Sequence, residues 1–199
     1  QTDHELHEIM DQAHLVTPDG IGEIWSARLL DVPVFERVSG VELVARLAER
    51  GAATGYRFYL LGAAPGVAEA AAQRLVERFP GLQVVGTNDG YFPAAEEERL
   101  VERIRESKAD ILLVALGIPK QEKWIRRHLE QLQVPVCIGV GGTFDVYSGR
   151  LKRAPVWVQR CGLEWLYRAV IEPSRFKRLP AIPQFMAMTF RQRLRNRKL

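Results

Sequence analysis

Residues 57–85 read R-F-Y-L-L-G-A-A-P-G-V-A-E-A-A-A-Q-R-L-V-E-R-F-P-G-L-Q-V-V, and this stretch decides the fold. A short run rich in Phe, Tyr and Leu (57–61) meets a glycine turn, a segment at helical spacing follows (67–79), and a second apolar run returns at 82–85. Runs this short, bounded by glycine, suit strands buried on both faces rather than helices. The unit then repeats. Apolar runs at 110–116 and 134–140 are separated by segments at 95–107 and 119–132 that set charged faces against Ala, Leu, Val and Ile. Repeated β-α units predict an α/β fold that is Rossmann-like in the broad sense, a mostly parallel sheet flanked by helices.

Working outward, 2–13, 21–30 and 41–50 read as helices, so a largely helical section precedes the sheet. Beyond residue 150 the character changes. Segment 155–171 reads as one helix, Pro173 opens another, and Pro180 and Pro183 interrupt before 185–195 resume helical spacing. Residues 150–199 hold 13 Lys or Arg against two acids, Glu164 and Glu172, while 1–149 hold 15 basic and 22 acidic residues. The expected organisation is an acidic α/β catalytic domain over 1–150 and a helical, basic appendage over 151–199 whose partner is anionic.

Composition limits the alternatives. At 199 residues, 47% apolar and 26% charged, the chain suits one compact domain with an appendage, and disorder, collagen and coiled coil are excluded. No run of 18 apolar residues occurs and no signal peptide opens the chain, which makes a cytoplasmic protein the expectation. Cys137 and Cys161 lack C-x-x-C spacing and read as plain core or helix residues. The histidines offer no H-E-x-x-H and read as surface residues, and D-x-D is absent, so metal-free chemistry without a cofactor is expected.

In open α/β sheets the ligand lies beyond the carboxyl ends of the strands. Here those ends read G-A-A-P-G from Gly62, G-T-N-D-G-Y-F from Gly86, G-I-P-K-Q-E from Gly117, and G-G-T-F-D from Gly141. Glycine at a strand-to-helix turn lets backbone approach a ligand and exposes helix N–H groups, and a phosphate-bearing ligand fits such turns. Neither G-x-G-x-x-G nor G-x-x-x-x-G-K-[ST] follows any strand, which argues against a nicotinamide oxidoreductase and a P-loop NTPase. A nucleotide-sugar is the attractive ligand. Tyr91 is placed to stack on a base and Asp145 to accept from ribose hydroxyls, although a half-buried aromatic and a capping acid are the plainer readings. Asp19, between Pro18 and Gly20 before a helix, reads either as an N-cap or as a carboxylate that takes a proton from an attacking hydroxyl. Pro119 suits the first helical position, which puts Lys120 and Gln121 at the helix mouth, with Trp124 in the core.

Seven motifs in one order, L-V-T-P-D-G-I-G, F-E-R-V-S-G, Y-L-L-G-A-A-P-G-V-A, G-T-N-D-G-Y-F, L-G-I-P-K-Q-E-K-W-I, I-G-V-G-G-T-F-D and G-R-L-K-R-A-P-V-W-V-Q-R-C-G-L-E-W-L-Y-R, closely resemble the WecG/TagA/CpsF glycosyltransferases. The resemblance implies transfer of a sugar, foremost N-acetylmannosamine, from UDP to a polyprenyl-diphosphate-linked acceptor at the inner membrane face, in teichoic acid or other cell-surface polysaccharide synthesis. It implies that Asp19 is the general base of an inverting attack, that Arg37 and Gln121 line the sugar and diphosphate pocket, and that Tyr91 and Asp145 lie near the uridine. It also implies that Arg168, Arg175 and Arg178 of the appendage swing over the pocket to neutralise the diphosphate. Family members begin earlier, with a strand and a Thr-x-Asn loop that nothing in Gln1–Leu15 matches, so a natural N-terminal segment is expected outside this sequence.

The tail supports a membrane partner on physical grounds. A polyprenyl acceptor is confined to the bilayer, so its enzyme must touch that surface. Leu179, Ile182, Phe185, Met186, Met188 and Phe190 offer apolar contact, and Arg191, Arg193, Arg195, Arg197 and Lys198 offer attraction worth about 1 kcal/mol each near anionic headgroups. A second subunit is the alternative partner, as a homo-oligomer. A competing function is a nucleotide-binding module whose basic tail binds nucleic acid, but Phe176, Phe185 and Phe190 interleave poorly for base stacking, so no nucleic acid is expected.

Overall fold

The computed structural model describes residues 3–34, 36–171 and 181–196. Its sheet is built from β1 (Arg57–Gly62), β2 (Gln83–Asn88), β3 (Ile111–Ala115) and β4 (Val136–Gly139), all parallel, in the order β2-β1-β3-β4. The helices are α1 (His4–Gln12), α2 (Ile21–Leu29), α3 (Gly40–Thr54), α4 (Val67–Arg78), α5 (Ala94–Glu106), α6 (Lys120–Leu132), α7 (Thr143–Tyr147), α8 (Val156–Arg160), α9 (Glu164–Ile171) and α10 (Ala181–Asn196). The predicted α/β class and parallel sheet are observed.

The chain forms two compact units. The first takes residues up to Val16 and Gly40–Lys152; the second takes Thr17–Ser39 with Arg153–Leu199. The segment carrying Asp19 and Arg37 thus groups with the C-terminal helices rather than with the sheet, an association that composition does not report.

In the first unit, strand side chains alternate between two cores because successive Cβ atoms point to opposite faces. Phe58, Leu60, Ile111, Leu113 and Ala115 pack with Val44, Ala71, Leu75 and Phe144 from α3, α4 and α7. Tyr59, Leu61, Leu112 and Val114 face Leu100, Ile104, Trp124 and Leu132 from α5 and α6. Coverage on both faces explains why β1 and β3 are nearly continuous apolar runs.

Several boundaries differ from expectation for identifiable reasons. β2 runs on through Gly86 to Asn88, past its expected end, with the register slipping between Phe58 and Tyr59 so that Gly86 faces Tyr59. Pro119 is the N-cap of α6 rather than its first residue. The long helix expected over 155–171 is two, because Gly162 adopts a left-handed φ of 71° between α8 and α9. The described part of α10 starts at Ala181, so helical structure is present before the expected 185 and includes Pro183. His4, His7 and His14 are exposed as expected, but His128 is buried, its ring tilted against Trp124 one turn back with centroids 5.0 Å apart, and its Nε2 is 3.0 Å from Glu97 Oε1. The helix expected from Pro173, and with it Arg175, Arg178 and Leu179, lies outside the described residues.

The second unit is held by α2 and α10. Thr189 donates to the Phe185 carbonyl (2.9 Å), which leaves its oxygen to accept from Ser26 on α2 (3.1 Å). One turn on, Arg193 Nη1 donates to the Leu29 carbonyl at 2.6 Å and so satisfies an orphan group at the α2 C-terminus. The tail helix is therefore docked along one face.

Candidate active site

The switch point of the sheet lies between β1 and β3, since the chain leaves β1 for β2 on one side and returns to β3 on the other. Backbone bonds lace the loops there. Ala63 N donates to Ala115 O and Gly90 N donates to Ala63 O, both at 2.9 Å. Gly62 ends β1 with φ 126°, and a Cβ on it would stand 2.5 Å from the Ala115 carbonyl, so only glycine lets the two strands close up here.

Gly66, Gly117 and Gly141 form a different class. Each has positive φ (79°, 79° and 51°), and a Cβ on any of them would meet nothing within 4 Å. These turns border open space at the carboxyl ends of β1, β3 and β4. Gly117 and Gly141 are joined by one side chain. Gln121, only 3% exposed, accepts from Gly117 N (3.2 Å) and Gly141 N (3.1 Å) through the same Oε1, while its Nε2 donates to Glu122 Oε1 (2.8 Å). Close packing fixes it: a Cβ on Gly139 would lie 2.5 Å from Gln121 Nε2. The loops after β3 and β4 are thus clamped at a common height, and two amides expected to be open at the turns are taken by this carboxamide. Lys120, beside it at the start of α6, is exposed.

Tyr91 is 76% exposed on the loop after β2, where Asp89 Oδ1 accepts from its N–H at 2.8 Å. Asp145 is half-buried in the first turn of α7, after β4. β2 and β4 are opposite edges of the sheet, so these two residues are rooted three inter-strand spacings apart, about 14 Å. One nucleoside reaches both only if the loops lean together over the switch point.

Asp19 and Arg37 meet in the second unit. Arg37 Nε donates to the Asp19 carbonyl (2.6 Å), and Nη2 lies 3.5 Å from Asp19 Oδ1 and 2.7 Å from Glu164 Oε2. Val38 N also donates to Pro18 O at 2.9 Å, so 36–39 runs back along the P-D-G loop. Burial opposes the charge of Arg37, but Glu164 first and Asp19 next outweigh it and hold its pKa above the ordinary arginine value. The N-cap of α2 is Gly20, whose N–H donates to Glu23 Oε2 at 3.4 Å, so Asp19 is not the cap and its exposed carboxylate points elsewhere.

Glu164 was not among the expected site residues. It is 5% exposed at the first position of α9, a buried acid in a segment dominated by Lys and Arg, and no local feature of the sequence marks it out from Glu172. Arg168 lies on the same helix, with its side chain outside the described residues, as are Arg175 and Arg178. Among the described residues, no three His, Cys, Asp or Glu side chains gather in a group able to hold a metal ion. Likewise no described helix is long and apolar enough to cross a membrane.

The chain is similar to proteins of known name. An enzyme of Bacillus subtilis (strain 168), N-acetylglucosaminyldiphosphoundecaprenol N-acetyl-beta-D-mannosaminyltransferase, is 32% identical over 196 residues, which cover 98% of this chain and 75% of that protein. The protein of the same name from Staphylococcus aureus (strain NCTC 8325 / PS 47) is 37% identical over 186 residues, covering 93% and 72%. With the glycine turns at the switch point, and with a family model matched over residues 1–199, the chain belongs to the glycosyl transferase WecG/TagA/CpsF family.

Proposed function

We propose that this glycosyltransferase moves N-acetylmannosamine from UDP to an N-acetylglucosamine carried on a polyprenyl diphosphate, in the assembly of a bacterial cell-surface polymer. The names of its relatives support the sugar and the acceptor. One observation carries the reading of the donor: Gly66, Gly117 and Gly141 turn at positive φ beside open space around the switch point, where a nucleoside diphosphate is expected.

In the proposed reaction the acceptor hydroxyl attacks the anomeric carbon with inversion. The new C–O bond forms as the bond to the β-phosphate breaks, UDP departs, and the hydroxyl proton passes to the Asp19 carboxylate. Asp19 suits the role because its side chain is exposed while its backbone is held by Arg37. Gln121 acts by clamping the Gly117 and Gly141 loops, and Lys120 and the appendage arginines Arg168, Arg175 and Arg178 balance the leaving diphosphate without a metal. Tyr91 and Asp145 take the base and ribose from opposite sides.

The acceptor requires contact with a lipid surface, and the second unit is suited to it as a peripheral protein of the inner face. Three of the four tryptophans, Trp25, Trp157 and Trp165, are exposed there, Trp157 by 66%, together with Leu166, Val170, Phe190 and Leu194. Arg191 and Arg195 flank Phe190 and Leu194 on the outward side of α10, whereas Arg193 faces α2.

The test is a mass-spectrometric assay of several UDP-sugars with a short-chain lipid-diphosphate acceptor, with and without EDTA. UDP-N-acetylmannosamine is expected to be consumed at the same rate in both. Asp19→Asn is expected to keep UDP affinity within about threefold and to lower kcat by about 10²–10⁴-fold, as loss of a general base does. Unchanged turnover would remove Asp19 from the mechanism.

A further inference from the structure

The P-D-G loop is an exposed turn, and an exposed turn does not by itself hold a carboxylate at a reacting centre. Its anchor is Arg37, which grips the Asp19 carbonyl through Nε at 2.6 Å while Nη2 stands 3.5 Å from the Asp19 carboxylate. Arg37 is anchored in turn by Glu164, whose Oε2 takes the same Nη2 at 2.7 Å. We propose that Glu164 is a positioning residue for the transfer, fixing Arg37 and through it the backbone and carboxylate of Asp19.

The geometry explains why two acids share one cation. The guanidinium is a rigid planar fork, so fixing one edge sets the direction of the other. Glu164 is buried and makes the shorter, charge-assisted bond, while Asp19 is exposed and stands at the looser distance. The cation therefore spends its strong contact on the buried acid and its Nε on the Asp19 carbonyl, which leaves the carboxylate of Asp19 oriented but not tightly paired. Without Glu164 the guanidinium would relax toward Asp19, both loosening the loop and engaging the oxygen that has to take a proton. The position of Glu164 at the head of α9 also favours its charge, since helix N-termini attract anions.

This inference rests on Asp19 being the base, so its test includes a measurement independent of turnover. Glu164→Ala removes the acceptor, Glu164→Asp withdraws it by one methylene, and Glu164→Gln retains an acceptor oxygen. The Ala and Asp variants are expected to lower kcat by about 10–100-fold with KM for the UDP-sugar within about threefold, and Gln to restore kcat to within about fivefold of wild type. In an Asp19→Asn background the Ala and Asp changes should cost nothing more, because Glu164 acts through Asp19. Should Glu164→Ala not fold, the Asp and Gln variants carry the same contrast. Hydrogen exchange of the Thr17, Asp19 and Gly20 amides should speed up in the Asp variant and not in the Gln variant. Full turnover in Asp19→Asn with that exchange pattern intact defeats the base assignment but not the anchoring. Unchanged exchange, or a Glu164→Asp loss that persists in full in the Asp19→Asn background, overturns the proposal.

Discussion

The two units hold their polar groups in place by different means. At the carboxyl edge of the sheet the work is done by backbone. Gly62 lets β1 and β3 close up, and a neutral carboxamide, Gln121, ties two glycine turns through amide hydrogen bonds. In the second unit the work is done by charge, with Arg37 shared between Glu164 and Asp19. Neutral bonds to backbone in a packed edge fix height and shape, and substitutions there should be felt as stability. In the charged node the Asp19 carboxylate is exposed, so its substitution should cost little stability and be felt as rate.

The sharpest way to break this contrast is Gly62→Ala. Its Cβ would meet the Ala115 backbone at 2.5 Å, with no flexible atom to yield, so a loss of more than about 3 kcal/mol or failure to fold is expected in a urea titration. Gln121→Ala comes next. It strands two amides and should cost about 2–4 kcal/mol by the same measurement, with turnover falling as the turns loosen. A Gln121→Ala protein as stable as wild type yet inactive would show that this edge, too, works by side-chain chemistry.

The smallest effect concerns the cysteines, one in each unit. Burial raises the Cys137 thiol to about 11, so at pH 8 it stays protonated and should react with iodoacetamide far more slowly than exposed Cys161, which peptide mapping would resolve. The sign for stability follows. An unfolded thiol ionises near 8.5, so the folded chain binds that proton more tightly and loses stability as pH rises from about 8.5 toward 11; Cys137→Ala should flatten that slope.

The sheet was legible because its signal is local. Phe58 to Leu61 and Ile111 to Ala115 are buried on both faces, and a doubly buried strand has to be an apolar run. β2 was harder, because at the sheet's edge it is only half-buried and its glycine lies inside the strand, facing Tyr59, where it mimics a turn. His128 reads as a surface residue because it lies outside the glycine loops and in no metal motif, and only the helical register places it against Trp124. Asp19 resembled an N-cap because the sequence around it is that of a helix start, yet the cap moved one residue to Gly20. Glu164 could not be recognised as part of the node: its partner Arg37 is 127 residues away, and no periodicity reports a pairing at that distance.

The three open turns carry a last consequence. At Gly66, Gly117 and Gly141 nothing stands where a side chain would go, so the cost of an ordinary residue is one of handedness and not of crowding. An L-alanine at any of them has room for its methyl and meets only the cost of a left-handed bend, about 1–2 kcal/mol, which Ala63 already bears at φ 61°. The space beside these turns is thus kept clear by a preference of hand and not by a wall, and a methyl should be far cheaper there than at Gly62.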